Sequence, residues 1–276
     1  MITPTIHIQT KLIAKTACIV ITYSLIFMKS STTHAQQKNT TTYHLVWSDE
    51  FENTELDSTK WNYDRGTGAQ HGLNGWGNNE LQYYTVDRPK NIRINNGQLI
   101  IEAHKEDYKG MNYTSGRIHT RNKGDWQYGR IEVRAKLPEG RGTWPAIWML
   151  PTVDQLNWPD DGEIDIMEHV GYNHNTIFGS VHTGAFNHMR GTQISDSLKV
   201  PSVADRFHTY AIEWSATEIT WFVDDQSYHT FKNPDKSKAE WPFDNPFHLI
   251  LNVAVGGSWG GYKGVDTEIW PQRMAV

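Results

Sequence analysis

The run Gly162-Glu163-Ile164-Asp165-Ile166-Met167-Glu168-His169-Val170 sets three carboxylates within six positions of an otherwise apolar, strand-forming segment. Charged groups are costly to bury, so their presence on an inner strand points to chemistry rather than to folding. Carboxyl groups can serve as nucleophile, general acid and general base, and this set offers all three roles. In a regular strand successive side chains alternate faces, so Glu163 and Asp165 project together while Glu168 turns away. One extra residue, taken up as a β-bulge near Met167, returns Glu168 to their face. Two carboxyl groups about 5 to 5.5 Å apart suit double displacement at a glycosidic carbon, whereas a wider pair admits a water and inverts the configuration. An edge strand with solvated acids is the other reading. Ile164, Ile166 and Met167 weigh against it, because they require burial of the opposite face.

The surrounding chain reads as strands and turns almost throughout. Gly129 to Pro138 alternates apolar and charged residues and ends in proline, the pattern of a half-buried strand. Ile92–Ile94 and Leu99–Ala103 flank Asn95-Asn96-Gly97, a hairpin turn, and Ile219–Val223 and Tyr228–Phe231 flank Asp224-Asp225-Gln226 in the same way. Helical periodicity is scarce, so many short antiparallel strands imply an all-β sandwich. With 276 residues, 38% hydrophobic content and 12 tryptophans, the chain can fill one sizeable core and needs no second domain.

Residues 1–35 differ in kind. Lys11 and Lys15 precede an apolar run from Thr16 to Met28, and Thr33-His34-Ala35 ends in a small residue, as a secretory signal peptide does. The run is too short to span a membrane comfortably, so a soluble, secreted protein is expected, cleaved near Ala35. Cys18, the single cysteine, lies in this leader, and the mature chain is therefore expected to lack disulfides. A polar, flexible segment, 36–42, then leads to a catalytic domain over 43–276. The whole chain has 26 Lys and Arg against 31 Asp and Glu, −5 overall; without Lys11, Lys15 and Lys29 it has 23 cations against 31 anions, −8. Such a balance disfavours nucleic acid, anionic membrane and sulfated polysaccharide as partners, and a monomer is expected.

The Glu-Ile-Asp-Ile-Met-Glu motif, preceded by Trp144-Pro145-Ala146-Ile147-Trp148-Met149-Leu150-Pro151 and followed by Val181-His182-Thr183, resembles glycoside hydrolase family 16 in its laminarinase (endo-1,3-β-glucanase) branch. Matching blocks are Leu45 to Phe51, Gly75 to Gln82 and Leu251 to Gly257, so the resemblance runs from about residue 43 to the C-terminus. The Glu-x-Asp-x-x-Glu form marks the bulged branch of laminarinases, agarases and carrageenases. The resemblance implies a jelly roll with a cleft across its concave sheet and a retaining endo-β-1,3-glucanase acting on laminarin-type glucans. Glu163 is then the nucleophile, Glu168 the acid/base and Asp165 their electrostatic partner. An agarase-like galactan hydrolase and a non-catalytic β-glucan-binding lectin share the scaffold; the lectin would lack a catalytic carboxylate, and all three are present.

Sugar rings offer apolar C–H faces, so a polysaccharide cleft needs aromatic platforms beside hydrogen-bonding groups. Trp144 and Trp148, four apart, share one face of a strand, which suits either a core or a platform; the resemblance favours platforms near the scissile bond. It likewise implies cleft roles for Trp158, Trp259, Asn78, Arg117 and Asn252, and core positions for Trp214 and Trp221. His182, in the next block, could lie in a hairpin beside Glu168 and tune its pKa. His169, His174, His182 and His188 fit no standard zinc spacing, and glycoside hydrolysis needs no metal cofactor. The resemblance further implies a structural calcium on the convex side, held by the Glu52 and Gly97 carbonyls and Asp266. Family members usually continue past Met274 into a final strand, so the sequence reads as shortened there.

Overall fold

Alternating and continuous apolar runs form strands where the sequence marks them. The computed structural model describes residues 6–11, 42–233 and 235–276. In chain order the described strands are β1 (Ile6–Lys11), β2 (Tyr43–Asp49), β3 (Asn62–Tyr63), β4 (Gln82–Tyr84), β5 (Ile92–Ile94), β6 (Leu99–Tyr108) and β7 (Met111–Ser115). Then come β8 (Arg117–His119), β9 (Asp125–Trp126), β10 (Gly129–Ala135), β11 (Thr143–Pro151), β12 (Glu163–Glu168) and β13 (Thr176–His182). The last are β14 (Ile194–Lys199), β15 (His208–Trp214), β16 (Glu218–Val223), β17 (Gln226–Lys232), β18 (Phe247–Val255) and β19 (Gln272–Ala275). Only three short 3₁₀ turns interrupt them among the described residues.

One layer is an eight-stranded sheet in the order β14-β13-β12-β11-β18-β8-β3, with β9 beside β18. The other layer combines β17-β16-β15-β10-β1-β2 with β19-β6-β7-β4 and β5. Contacts of β18 with β6 and β7, of β12 with β15, and of β14 with β17 hold the layers together. The all-β sandwich read from the sequence is what forms.

Between the layers the inner face of the eight-stranded sheet contributes Ile118, Ile147, Met149, Ile164, Met167, Ile177, Val181, Leu249, Leu251 and Val253, all buried. Each such aliphatic side chain adds about 1.5 to 3 kcal/mol on burial. These residues also fix the register of β11, β12, β13 and β18, because a one-residue slip would turn every one of them outward. The outer face is thereby fixed as well.

The β12 ladder carries the anticipated bulge. Ile147 pairs with Met167 and Trp148 with Asp165, so Ile166 is the extra residue, and the β13 ladder breaks between Asp165 and Glu168. The Asp165 carbonyl accepts the Trp221 indole N–H at 2.7 Å. Gly179 makes room for that ring, since a Cβ there would stand 2.5 Å from Trp221 Cδ1.

One segment of the expected leader is among the described residues. Residues 6–11, assigned to the leader, form a strand between β2 and β10, with Ile6 and Ile8 in the core. Ile6-His7-Ile8-Gln9 alternates apolar and polar residues, which is a strand pattern as well as the start of a leader. The apolar run from Thr16 to Met28, Cys18 and Ala35 lie outside the described residues.

Candidate active site

Register places the functional side chains. Glu168 stands opposite Ala146 and Asp165 opposite Trp148 on β11, while on β13 Glu163 faces His182, Asp165 faces Ser180 and Glu168 faces Phe178. On β18, Ala146 pairs with Asn252, and Asn252 pairs in turn with Arg117 on β8. Directly paired residues share a face, so the three acids, His182, Trp144, Trp148, Asn252 and Arg117 all lie on the outer face of one sheet.

Two indoles hold the two glutamates. Trp158 Nε1 donates to Glu163 Oε2 at 2.9 Å, and Trp144 Nε1 donates to Glu168 Oε1 at 3.0 Å. Asp165 is buried between them. His182 Nε2 lies 3.4 Å from Asp165 Oδ2 and 3.8 Å from Glu163 Oε1. On β13 direct pairing sets His182 across from Glu163, and its charge also acts on Glu168, the acid it was expected to tune. Glu163, Asp165 and His182 offer ligand atoms within 4.8 Å of one another, the only such group of three or more metal-ligating side chains among the described residues.

Burial dominates the electrostatics. It pushes the Glu163 carboxyl up to about 8, with Asp165 adding to the rise and His182, Trp158 and Arg117 opposing it. Burial also takes Asp165 up to about 8, against a hydrogen bond with Glu163. Glu168 is driven well above the usual carboxylate range by burial and then by Asp165, and His182 and Trp144 hold it back. Crowded acids taken out of water retain protons, so a protonated acid and an ionised neighbour can coexist near neutral pH.

Trp148 Nε1 donates to Asn252 Oδ1 at 2.8 Å, and the Arg117 guanidinium lies 4.8 Å from the Trp148 ring and 4.5 Å from that of Trp76. Asp64 Oδ2, 2.7 Å from Arg117 Nε, anchors the guanidinium. Asn78 bonds through its side chain to buried Glu80, and its carbonyl accepts the Ser258 amide at 2.7 Å, joining two loops at the rim. Trp259, on the second of these loops, meets Trp144 edge-on at 5.6 Å. Trp214 and Trp221 are buried in the core, as expected.

Sequence reasoning gave no site role to Asp64, Trp76, Glu80 or Phe178, and it weighed His188 only as a zinc ligand. Phe178 was accessible to it, because residues 178, 180 and 182 of one strand must share a face. His188, 5.3 Å from Trp158 and 5.1 Å from His182 between ring centres, is brought in by a loop with no periodic signal. A cavity of about 410 Å³ lined by Asn62, Tyr63, His119, Arg121, Asn122 and Lys123 lies at the β3 edge, away from the acids.

The proposed calcium ligands fare differently. Asp266 gives one carboxylate oxygen to Arg141 Nη2 and the other, at 3.2 Å, to Arg141 Nε. A guanidinium on the side chain that should face a cation does not fit a calcium ligand as the side chain is placed here. Glu52 follows β2 and is exposed, and Gly97 turns between β5 and β6.

Residues 79–271 match the sequence pattern of glycosyl hydrolases family 16. The beta-glucanase of Rhodothermus marinus is 55% identical over 243 residues, covering 85% of this chain and 83% of that protein. The X-ray structure of the laminarinase from Rhodothermus marinus superposes with a TM-score of 0.79 at 54% identity, covering 84% of this chain and 93% of that one. A non-specific endo-β-1,3(4)-glucanase superposes with a TM-score of 0.78 at 45% identity, covering 83% of this chain and 87% of that one.

Proposed function

The chain belongs to glycosyl hydrolases family 16, and from that premise we propose that it is a retaining endo-β-1,3-glucanase, cleaving internal bonds of laminarin-type glucans by double displacement. The observation that carries this reading is the pair Glu163 and Glu168 on one face, each held by its own indole N–H, with Asp165 and His182 between and beside them. Similarity to the beta-glucanase and the laminarinase of Rhodothermus marinus supports the glucan as substrate.

In the first step Glu163 attacks the anomeric carbon while Glu168 gives its proton to the departing glycosidic oxygen, leaving a glycosyl ester on Glu163. In the second, Glu168 takes a proton from water; the water oxygen bonds the anomeric carbon and the ester breaks, restoring both groups. After burial, Asp165 raises the proton affinity of both glutamates and His182 opposes it in both, with Trp158 and Arg117 further favouring the anion of Glu163 and Trp144 that of Glu168. Arg117, Asn252 and Asn78 supply hydrogen-bonding groups, and Trp144, Trp148, Trp158 and Trp259 the aromatic surface.

We extend the reading to a secreted monomer with glucan as its partner. The basic and apolar leader supports export, and no helix among the described residues is long and apolar enough to cross a membrane. Cleavage near Ala35 would remove β1 and leave its place between β2 and β10 to be filled otherwise, so N-terminal sequencing of the exported protein tests this part. Incubation with laminarin, lichenan, agarose and carrageenan, followed by sizing of the products, tests the function. Laminarin should yield oligosaccharides early. Release from agarose or carrageenan alone would contradict the glucanase reading, and release from none would favour a binding protein.

A further inference from the structure

Trp144, Val170 and Ala254 form a small apolar cluster outside the sandwich core, and Tyr172, Phe178 and Trp259 pack against it half-buried. Phe178 is the cross-strand neighbour of Glu168, and Trp144 is its hydrogen-bond donor. Trp259 stands edge-on to both rings, 5.6 Å from Trp144 and 5.1 Å from Phe178. It also hydrogen-bonds with Tyr172. Tyr172 in turn meets Tyr262 at 6.3 Å, and Tyr262 is 70% exposed. A single exposed ring is ordinary on a protein surface; what sets Tyr262 apart is an unbroken aromatic series leading from it to Glu168. Arg141 fixes its loop, donating to the Lys263 carbonyl at 3.4 Å while pairing with Asp266.

We propose that Phe178, Tyr172 and Tyr262, with Trp259, bind the leaving-group portion of the glucan chain. This rests on the reading of Glu168 as the acid. That acid must touch the departing oxygen, so the chain beyond that oxygen begins beside Glu168. The other arm of the face, with Trp148 and Asn252 further along β11 and β18 from Trp144 and Ala254 and with Arg117 on the neighbouring β8, remains for the portion that is transferred to Glu163. Stacked aromatic rings suit the C–H faces of the sugars. The subsite lowers KM for long chains and leaves the chemical step unchanged, because its rings touch neither reacting atom.

Tyr262→Ala and Tyr172→Ala should each raise KM for laminarin about three- to tenfold with kcat unchanged, the range expected for one aromatic contact. Both phenylalanine variants should behave as wild type, and hydrolysis of an aryl β-glucoside oligomer without a leaving chain should not change in any of the four. Reducing-end-labelled β-1,3-gluco-oligosaccharides should be cut with shorter labelled ends by the alanine variants. Tyr262 is exposed, so its truncation should leave the melting temperature in place and keep the test readable. Unchanged KM and cleavage pattern in both alanine variants, with a wild type active on laminarin, would overturn the subsite alone. A wild type inactive on laminarin would overturn the glucanase reading and the subsite with it.

Discussion

Trp144 and Glu168 are joined across β11 and β12 by a 3.0 Å hydrogen bond from the indole N–H to a carboxylate oxygen. One ring thus packs with Val170 and Ala254 and at the same time steadies the anion of the proposed acid. Trp158 does the same for Glu163 at 2.9 Å. Asp165 acts second after burial in raising both glutamates and His182 opposes the rise in both; what differs is contact, since His182 lies 3.8 Å from Glu163.

Trp144→Phe keeps a ring and removes the donor. A hydrogen bond to a charged group contributes about 1.5 to 3 kcal/mol, so the alkaline limb of the rate profile should move up by about one to two pH units. Asp165→Asn removes a like charge and should move the same limb down, because Asp165 raises Glu168. Rate profiles of both variants check this; limbs moving together would contradict the assignment of Glu168.

Stability should fall as pH rises. Glu163 and Asp165 are raised to about 8 when folded, so the native state binds more protons than the unfolded chain between about pH 4 and 8. The stabilisation is whole below the unfolded pKa and is lost as pH passes through the folded value. Glu163→Gln should therefore raise the melting temperature at pH 8 more than at pH 4.5, while lowering activity by about 10² to 10⁴. Calorimetry across this range decides it; an equal shift at both pH values would argue against a burdened carboxyl.

Trp148→Ala should impair laminarin turnover more than folding, since the ring is partly exposed beside Arg117 and Asn252. Trp221→Ala is the contrast. Its ring is fully buried, and truncation should cost about 3 to 5 kcal/mol of stability. Denaturant titration with parallel kinetics separates the two, and a loss of that size in Trp148→Ala with normal kinetics would return Trp148 to the core.

Asp266 pairs with Arg141, so calcium and EDTA should shift the melting temperature of Asp266→Ala as much, or as little, as that of the wild type. A calcium response present in the wild type and absent from Asp266→Ala would restore this residue as a ligand.

Periodicity made the sandwich, both hairpins and the bulge legible in advance, because apolar residues on alternating positions leave few registers that bury them all. The acids followed from the cost of burying charge. Less legible was whatever depends on pairing between strands distant in sequence: His182 facing Glu163 is set by where β13 begins, and the Arg117–Asp64 pair joins segments whose register comes from β8 and β3. The pairing of Asp266 with Arg141 was hidden for a related reason, since the two are distant in sequence and loop approach has no period. Ile6 to Lys11 satisfies two patterns at once, and only the surrounding strands reveal the second.

Proton NMR of the anomeric signals during the first turnovers of laminarin tests the central claim most directly. Double displacement through Glu163 predicts that the new reducing end appears first as the β anomer and reaches the α form only by later mutarotation. First appearance of the α anomer would contradict a nucleophilic Glu163 and the close pairing of Glu163 with Glu168.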